Sequence, residues 1–340
     1  MALTDKLKAI ADAIRSKTGN ADSMSLDQMA TEISNISTGG GVEEPYIKET
    51  YSSNGNLIDA ELVGYTKIRD NAFYGCVFLD LTSLPNNITK IGFSAFSGCS
   101  DLALTSLPSN ITEIDESAFK GCTDLALTSL PSNITKIDNY VFYSCSNLAL
   151  TSLPSNTTEI GNYAFYNCNN LALTSLPDGI TKIGNYAFYN CRKLALTSLP
   201  DGITSIGSEA FDSCVGLALT SLPNNLTKIE AATFFSCGGL ALTSLPDGIT
   251  SINSQAFYNC VKLALTSLPD GITSIGYNAF YFCIGLTTIT FEGTPTSINS
   301  TAFNYCNNLT TINVPWAEGA VANAPWGATK ATINYNYTGE

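Results

Sequence analysis

The sequence contains no histidine. That absence removes the commonest general base, the Ser–His and Cys–His nucleophile pairs, and most zinc sites. A catalytic centre would have to rest on carboxylates, Tyr or Lys alone. No enzyme activity, no cofactor and no metal are expected. Basic residues are scarce: 16 Lys and Arg stand against 29 Asp and Glu, a net charge of −13. No Lys/Arg cluster overrides that balance, so neither nucleic acid nor an anionic membrane surface is an expected partner. Charged residues make up only 13 % of the chain and apolar residues 44 %, which supplies a core and excludes a charge-rich disordered chain. No uncharged apolar run is long enough to span a bilayer. The opening, MALTDKLKAIADAIRSKTGN, sets Asp5, Lys6, Lys8, Asp12 and Arg15 among its apolar residues. It therefore lacks the apolar centre of a signal peptide, and synthesis in the cytoplasm without standard export is expected.

What the chain has in abundance is itself. Eleven cysteines, Cys76, Cys99, Cys122, Cys145, Cys168, Cys191, Cys214, Cys237, Cys260, Cys283 and Cys306, follow one another at intervals of 23 residues. A Phe stands three before each and a Leu three after. The unit reads C-x-x-L-A-L-T-S-L-P-x-x-I-T-x-I-x-x-x-A-F-x-x. One coil cannot bury so many apolar slots, whereas stacked coils bury them as continuous ladders. The Pro after the third Leu fixes a corner, followed by Asp-Gly, Ser-Asn or Asn-Asn turn chemistry. Two short strands per coil are expected, around LALTSL and ITKIG, with AFYNC as a tight or single helical turn. Coils stacked about 4.8 Å apart predict a rod or shallow arc about 50 Å long. The cysteines occupy one slot beside the core Phe, with neither C-x-x-C nor His to make a zinc pattern, and read as a ladder of reduced, buried thiols.

The I-x-x-I-x-x-x-A-F-x-x-C-x-x-L unit resembles the BspA-like (Treponema-type) leucine-rich repeat, over about residues 65–315. The resemblance implies a right-handed leucine-rich-repeat β-rich solenoid of eleven 23-residue-phased coils. Most coils depart from it by reading L-A-L-T-S-L-P where the family reads L-T-S-I-x-I-P; only LTTITFEG and LTTINVPW, from Leu286 and Leu309, revert. A shifted strand register in the middle coils follows from that departure.

Both ends fall outside the period. Residues 1–36 read as two short helices, one with Leu3, Leu7, Ile10, Ala11 and Ile14 on a face, the other opened by a Ser25/Gln28 capping box. Neither is long enough to be stable alone, so they need each other, a second copy or a partner. Residues 37–41, STGGG, are a linker. Residues 42–64 read as a cap for the first coil, with Asn54-Gly55 as a hairpin turn. Residues 316–340, with Trp316, Trp326 and TINYNY, read as a C-terminal cap. The helical opening and Pro-Trp-rich ending resemble those of tail-associated proteins of phages and prophages of Gram-positive gut bacteria. That resemblance implies a docking role for residues 1–36 and a virion-associated location after lysis, with the cell surface by a non-standard route as the alternative.

Two surfaces are candidates for recognition. The uniform Thr/Ser ladder (Thr105, Ser106 and their equivalents) reads either as recent duplication or as a match to a periodic ligand. The second lies beside the core Phe and Cys. Tyr140, Tyr163 and Tyr186 share one slot; Tyr143, Tyr166 and Tyr189 share the slot three later, with Tyr74, Tyr258 and Tyr281. Asn167, Asn190 and Asn259 lie between. Tyr with Asn and Ser is the composition of adaptable binding surfaces, and also of a simple shield between coils. The neighbouring carboxylates of Asp115 and Glu116 are too little for a glycan hydrolase without a cleft. The Ser of GFSAF has no base, and the Asp-Gly corners offer too few oxygens for calcium. The reading is a recognition protein that binds a bacterial surface protein or glycan through its solenoid, with a structural partner or self-association through residues 1–36. The alternative is an adhesin or scaffold binding host or bacterial proteins.

Overall fold

A computed structural model of the protein describes residues 46–51, 57–63 and 65–339. The helices expected at 1–36, the linker at 37–41 and the Asn54-Gly55 turn lie outside these residues. An antiparallel hairpin comes first, pairing Tyr46–Tyr51 with Leu57–Val63, Tyr46 opposite Val63.

The repeats then wind into a solenoid. Each ITKIG stretch contributes a two-residue strand, from Lys67–Ile68 in the first coil to Ser297–Ile298 in the eleventh. Pairing is parallel and each residue meets its equivalent 23 positions on: Lys67 with Lys90, Ile183 with Ile206, Ile275 with Ile298. The Ile of each pair is buried and its neighbour faces outward, the alternation that a half-buried strand demands. The outward positions carry an ion-pair ladder, in which Lys90 meets Glu113 and Asp115 at 2.8 Å each and Glu159 meets Lys182 at 3.4 Å.

The second expected strand is mostly absent. Across the first eight coils the LALTSL-type segments form no strand; strands appear only at Ser267–Leu268, Thr288–Phe291 and Thr311–Asn313. In the middle coils one bond per coil survives, such as Ala149 N–H to the Leu127 carbonyl at 3.1 Å and Ala195 N–H to Leu173 at 3.1 Å. The following Pro has no N–H to extend the ladder. Where TTITF and TTIN stand instead, the ladder lengthens and Thr288 pairs with Thr311.

The AFYNC corner is a turn, and no helix occurs among the described residues. Its backbone alternates in hand. The residue five before Cys, from Asn71 to Asn278, and the residue one before, from Gly75 to Tyr305, have positive φ. Up to Phe282 their N–H groups donate to the next coil, as in Tyr163 to Asn185 O at 2.9 Å and Asn167 to Tyr189 O at 2.8 Å. The intervening N–H groups close turns within the coil, as in Cys168 to Phe165 O at 3.1 Å. Most corner donors thus find an acceptor without forming a regular strand.

Phe, Cys, Leu and Ile slots make the core, nearly all at 0–8 % exposure. The Phe rings stack face to face from Phe73 to Phe303, as in Phe165–Phe188 at 5.3 Å and Phe188–Phe211 at 5.4 Å. None of the eleven cysteines forms a disulfide, and ten are buried. Each buried Sγ–H donates to the Phe carbonyl 26 residues back, from Cys99 to Phe73 O at 2.9 Å through to Cys306 to Phe280 O at 2.9 Å. That carbonyl also accepts its own coil's Cys N–H, so both lone pairs are used. Ala would fill this slot but leave the second lone pair unmet. Burial pushes the thiols up, Cys306 to about 12 and Cys145 well above its ordinary value. An aromatic disulfide reagent at pH 8 is therefore expected to label half-buried Cys76 alone in the native protein, and all eleven thiols in guanidinium. Fast labelling of several native thiols would show that the ladder opens locally.

The end of the chain continues the stack. Thr332–Asn334 pairs in parallel with Thr311–Asn313, 21 residues earlier. Trp326 is fully buried, its Nε1–H donates to Ala322 O at 2.7 Å and its carbonyl accepts Phe303 N–H at 2.9 Å. Trp316 packs edge-on to Phe291 at 5.2 Å. Residues 316–339 thus build a shortened twelfth coil.

Candidate recognition surface

The left-handed corner positions determine where the tyrosines stand. Tyr140, Tyr163 and Tyr186 have φ of 57°, 56° and 56°, and Asn167 and Asn190 of 59° and 56°. Asn tolerates this region; a bulky residue there costs about 1–2 kcal/mol. The N–H bonds to the next coil hold the backbone there whatever the side chain. Side chains of one slot therefore stack at the coil spacing.

Six tyrosines form two columns. Tyr140, Tyr163 and Tyr186 stack at 4.7 and 4.5 Å. Tyr143, Tyr166 and Tyr189 stack at 4.7 and 4.5 Å. The columns meet at 44–49°. All six rings are half-buried. The structure adds the ends, which the sequence reading missed. Lys120 Nζ sits 5.4 Å from the Tyr140 ring centre and 5.3 Å from that of Tyr143, a cation on two ring faces. At the other end the Tyr186 hydroxyl donates to Glu209 Oε1 at 2.6 Å. That bond to a carboxylate, then desolvation, raises the Tyr186 phenol well above its ordinary range. Asp212 follows Tyr189 in its slot. It is buried, and desolvation pushes its carboxyl up to about 6 despite the Ser213 hydroxyl that donates to it at 2.7 Å. Beside the columns, Asn190 Nδ2 donates to Asn167 Oδ1 at 2.9 Å, and Arg192 Nε donates to Asn190 Oδ1 at 2.9 Å.

The other expected members lie apart. Tyr258 and Tyr281 belong to a second column beyond Asp212, in which Phe235, Tyr258 and Tyr281 stack at 4.4 Å each. Tyr305 then meets Tyr281 at 4.9 Å and 51°. Tyr74 stands in the first coil, exposed. Lys120, Glu209, Asp212, Phe235 and Tyr305 all lie in the corner slots that hold the tyrosines and asparagines, so the occupants of each slot in every coil are the signal that could have found them. Of the weaker candidates, Asp115 is tied to Lys90 at 2.8 Å and Glu116 accepts from Asn139 Nδ2 at 3.3 Å. Among the described residues, no group of three His, Cys, Asp or Glu is placed to hold a metal, and no helix is long and apolar enough to cross a membrane.

Parallel ladders of Leu, Ile, Phe and Cys at a 23-residue spacing define a leucine-rich-repeat solenoid. The chain belongs to the BspA type leucine-rich repeat family, whose pattern it matches over residues 66–195, 159–264 and 227–318. Its fold is similar to that of a leucine-rich repeat protein from Bacteroides ovatus, at 22 % identity and a TM-score of 0.61 over 87 % of this chain and 76 % of that one. It is also similar to a leucine-rich cell surface protein from Faecalibacterium prausnitzii, at 24 % identity and a TM-score of 0.52 over 89 % of this chain and 96 % of that one. No curated protein sequence matches the chain.

Proposed function

We propose that the chain is a non-enzymatic recognition protein whose solenoid binds a bacterial surface protein or glycan along its aromatic edge. The observation that carries this reading is the concentration of half-exposed tyrosines and asparagines along one corner of an otherwise uniform stack. A rigid solenoid presents such an edge without ordering cost on binding. A role in protein or ligand binding fits the repeat family. The finer placement, on a phage or prophage tail docked through residues 1–36, rests on the likeness of the two ends. The alternative, an adhesin or scaffold, is favoured by the Faecalibacterium protein, described as a cell surface protein.

The test is binding of labelled full-length protein to a panel of intact gut bacteria, with purified wall glycans and extracellular-matrix proteins alongside. Selective staining of a few strains, competed by their own wall glycans, is the expected result. Binding to matrix proteins and to no bacterium would move the assignment to an adhesin. Silence on every surface would overturn the recognition reading.

A further inference from the structure

We infer that the last coils carry a subsite for a neutral sugar unit of a surface glycan, built from Tyr277, Asn278, Tyr281, Phe282 and Tyr305; this rests on the recognition reading above. The slot before each Cys reads Gly75, Gly98, Gly121, Ser144, Asn167, Asn190, Ser213, Ser236 and Asn259, all with positive φ. Glycine and small polar residues suit that backbone. Phe282 and Tyr305 break the series, at φ of 58° and 61°. Burial does not offset the strain, because their exposures are 39 % and 56 %. Tyr277 nearby is 52 % exposed. The Phe282 N–H still donates to Asn304 O at 2.9 Å, which holds that residue in the left-handed region, and strained, exposed aromatics are a mark of binding sites.

The geometry differs from that of the central columns. There, ring faces are covered by other rings and by Lys120. Here the column of Phe235, Tyr258 and Tyr281 ends in a wedge, with Tyr305 tilted 51° from Tyr281. The next coil turns through Gly327, packed on the Asn304 side chain, with no side chain of its own to lay across the wedge. Asn278 is 8 % exposed and its Oδ1 has no donor. Its main-chain carbonyl accepts the Tyr281 N–H at 3.1 Å, which places the residue's backbone beside Tyr281. The three corner segments here, 254–260, 277–283 and 300–306, contain no charged residue. A charged ligand would leave its charge unpaired among them. A neutral pyranose offers an apolar C–H face to the rings and hydroxyls to Asn278 and the phenols, the mix of apolar wall and few polar groups that small-ligand sites use.

The test is calorimetric titration of the full-length protein with cello-, malto-, manno- and chito-oligosaccharides, with polygalacturonate and polylysine as charged comparisons. Binding of at least one neutral series is expected. Tyr305→Ser and Phe282→Asn install residue types the slot uses elsewhere; each is expected to weaken binding about tenfold or more, as a lost aromatic anchor does. Their thermal midpoints should hold or rise. No neutral sugar bound, preference for a charged probe, or sugar binding indifferent to both variants would overturn the inference. Staining of bacteria that persists in both variants would sink this subsite alone, whereas staining of nothing by the native protein would sink recognition itself.

Discussion

Replacing Phe188 with alanine is expected to cost about 3–5 kcal/mol, the range for a fully buried Phe that leaves a cavity. Phe188 has no exposure and stacks on Phe165 at 5.3 Å and Phe211 at 5.4 Å, with interplanar angles of 8° and 6°. Its Cys neighbours, Cys191 and Cys214, hydrogen-bond through the same layer, Cys214 to the Phe188 carbonyl at 2.9 Å. The cavity would therefore open in the middle of a one-dimensional stack. In such an array, stability is close to a sum of coil and interface terms. A weak central interface should split one unfolding transition into two. Phe73→Ala is the matched comparison: Phe73 stacks on Phe96 at 5.2 Å at the start of the array, so its loss should fray one end and leave a single main transition. Denaturant unfolding followed by circular dichroism reads both. An unshifted, single transition in Phe188→Ala would show that the Phe spine is not what couples the coils.

The Phe and Cys slots were legible because each residue repeats in phase, and a ladder buried in every coil must keep one residue type. The same logic predicted the Ile strands of the ITKIG stretch, where Lys–Ile or Ser–Ile alternates between water and core. It failed at LALTSL. There the apolar pattern is as regular, but a strand also needs N–H donors. Pro and the short span between corners leave one ladder bond per coil, as from Ala149 to Leu127. The left-handed corner was hidden because Tyr140 and Tyr163 are not residues that signal positive φ; stacking between coils imposes it on them. The caps of the tyrosine columns were missed for a different reason. Lys120 and Tyr143, like Tyr186 and Glu209, lie 23 positions apart. A reading along the chain separates them, and only a reading down the slots joins them.

The solenoid gives up stability at one corner slot. Asp212 holds the slot that Tyr189 fills one coil before and Phe235 one coil after, and it is 7 % exposed. Desolvation, with Glu209 adding to it, raises its carboxyl to about 6. In the unfolded chain an Asp ionises near 3.9. Below that value Asp212 is protonated in both states and carries no penalty. As pH rises from about 4 to about 6, the unfolded chain loses the proton and the folded one keeps it, so stability falls by about 1.4 kcal/mol per pH unit. Above about 6 the loss levels off near 3 kcal/mol. Asp212→Asn removes the charge, retains an acceptor for the Ser213 hydroxyl and leaves the Asn190 N–H bond to the residue 212 carbonyl untouched. The variant is therefore expected to be more stable than the native protein by up to about 3 kcal/mol at pH 7.5, with no gain at pH 4. Urea unfolding at the two pH values measures this difference directly. A gain that is the same at both would mean that Asn packs better in this slot for reasons unrelated to charge, and a loss at pH 7.5 would mean that the ionised carboxylate is held by its surroundings. If the expected pattern is found, this acidic break between the two aromatic columns is maintained against stability. It would then mark the boundary between a self-capped, bracing stretch of the edge and the open, uncharged stretch beyond it.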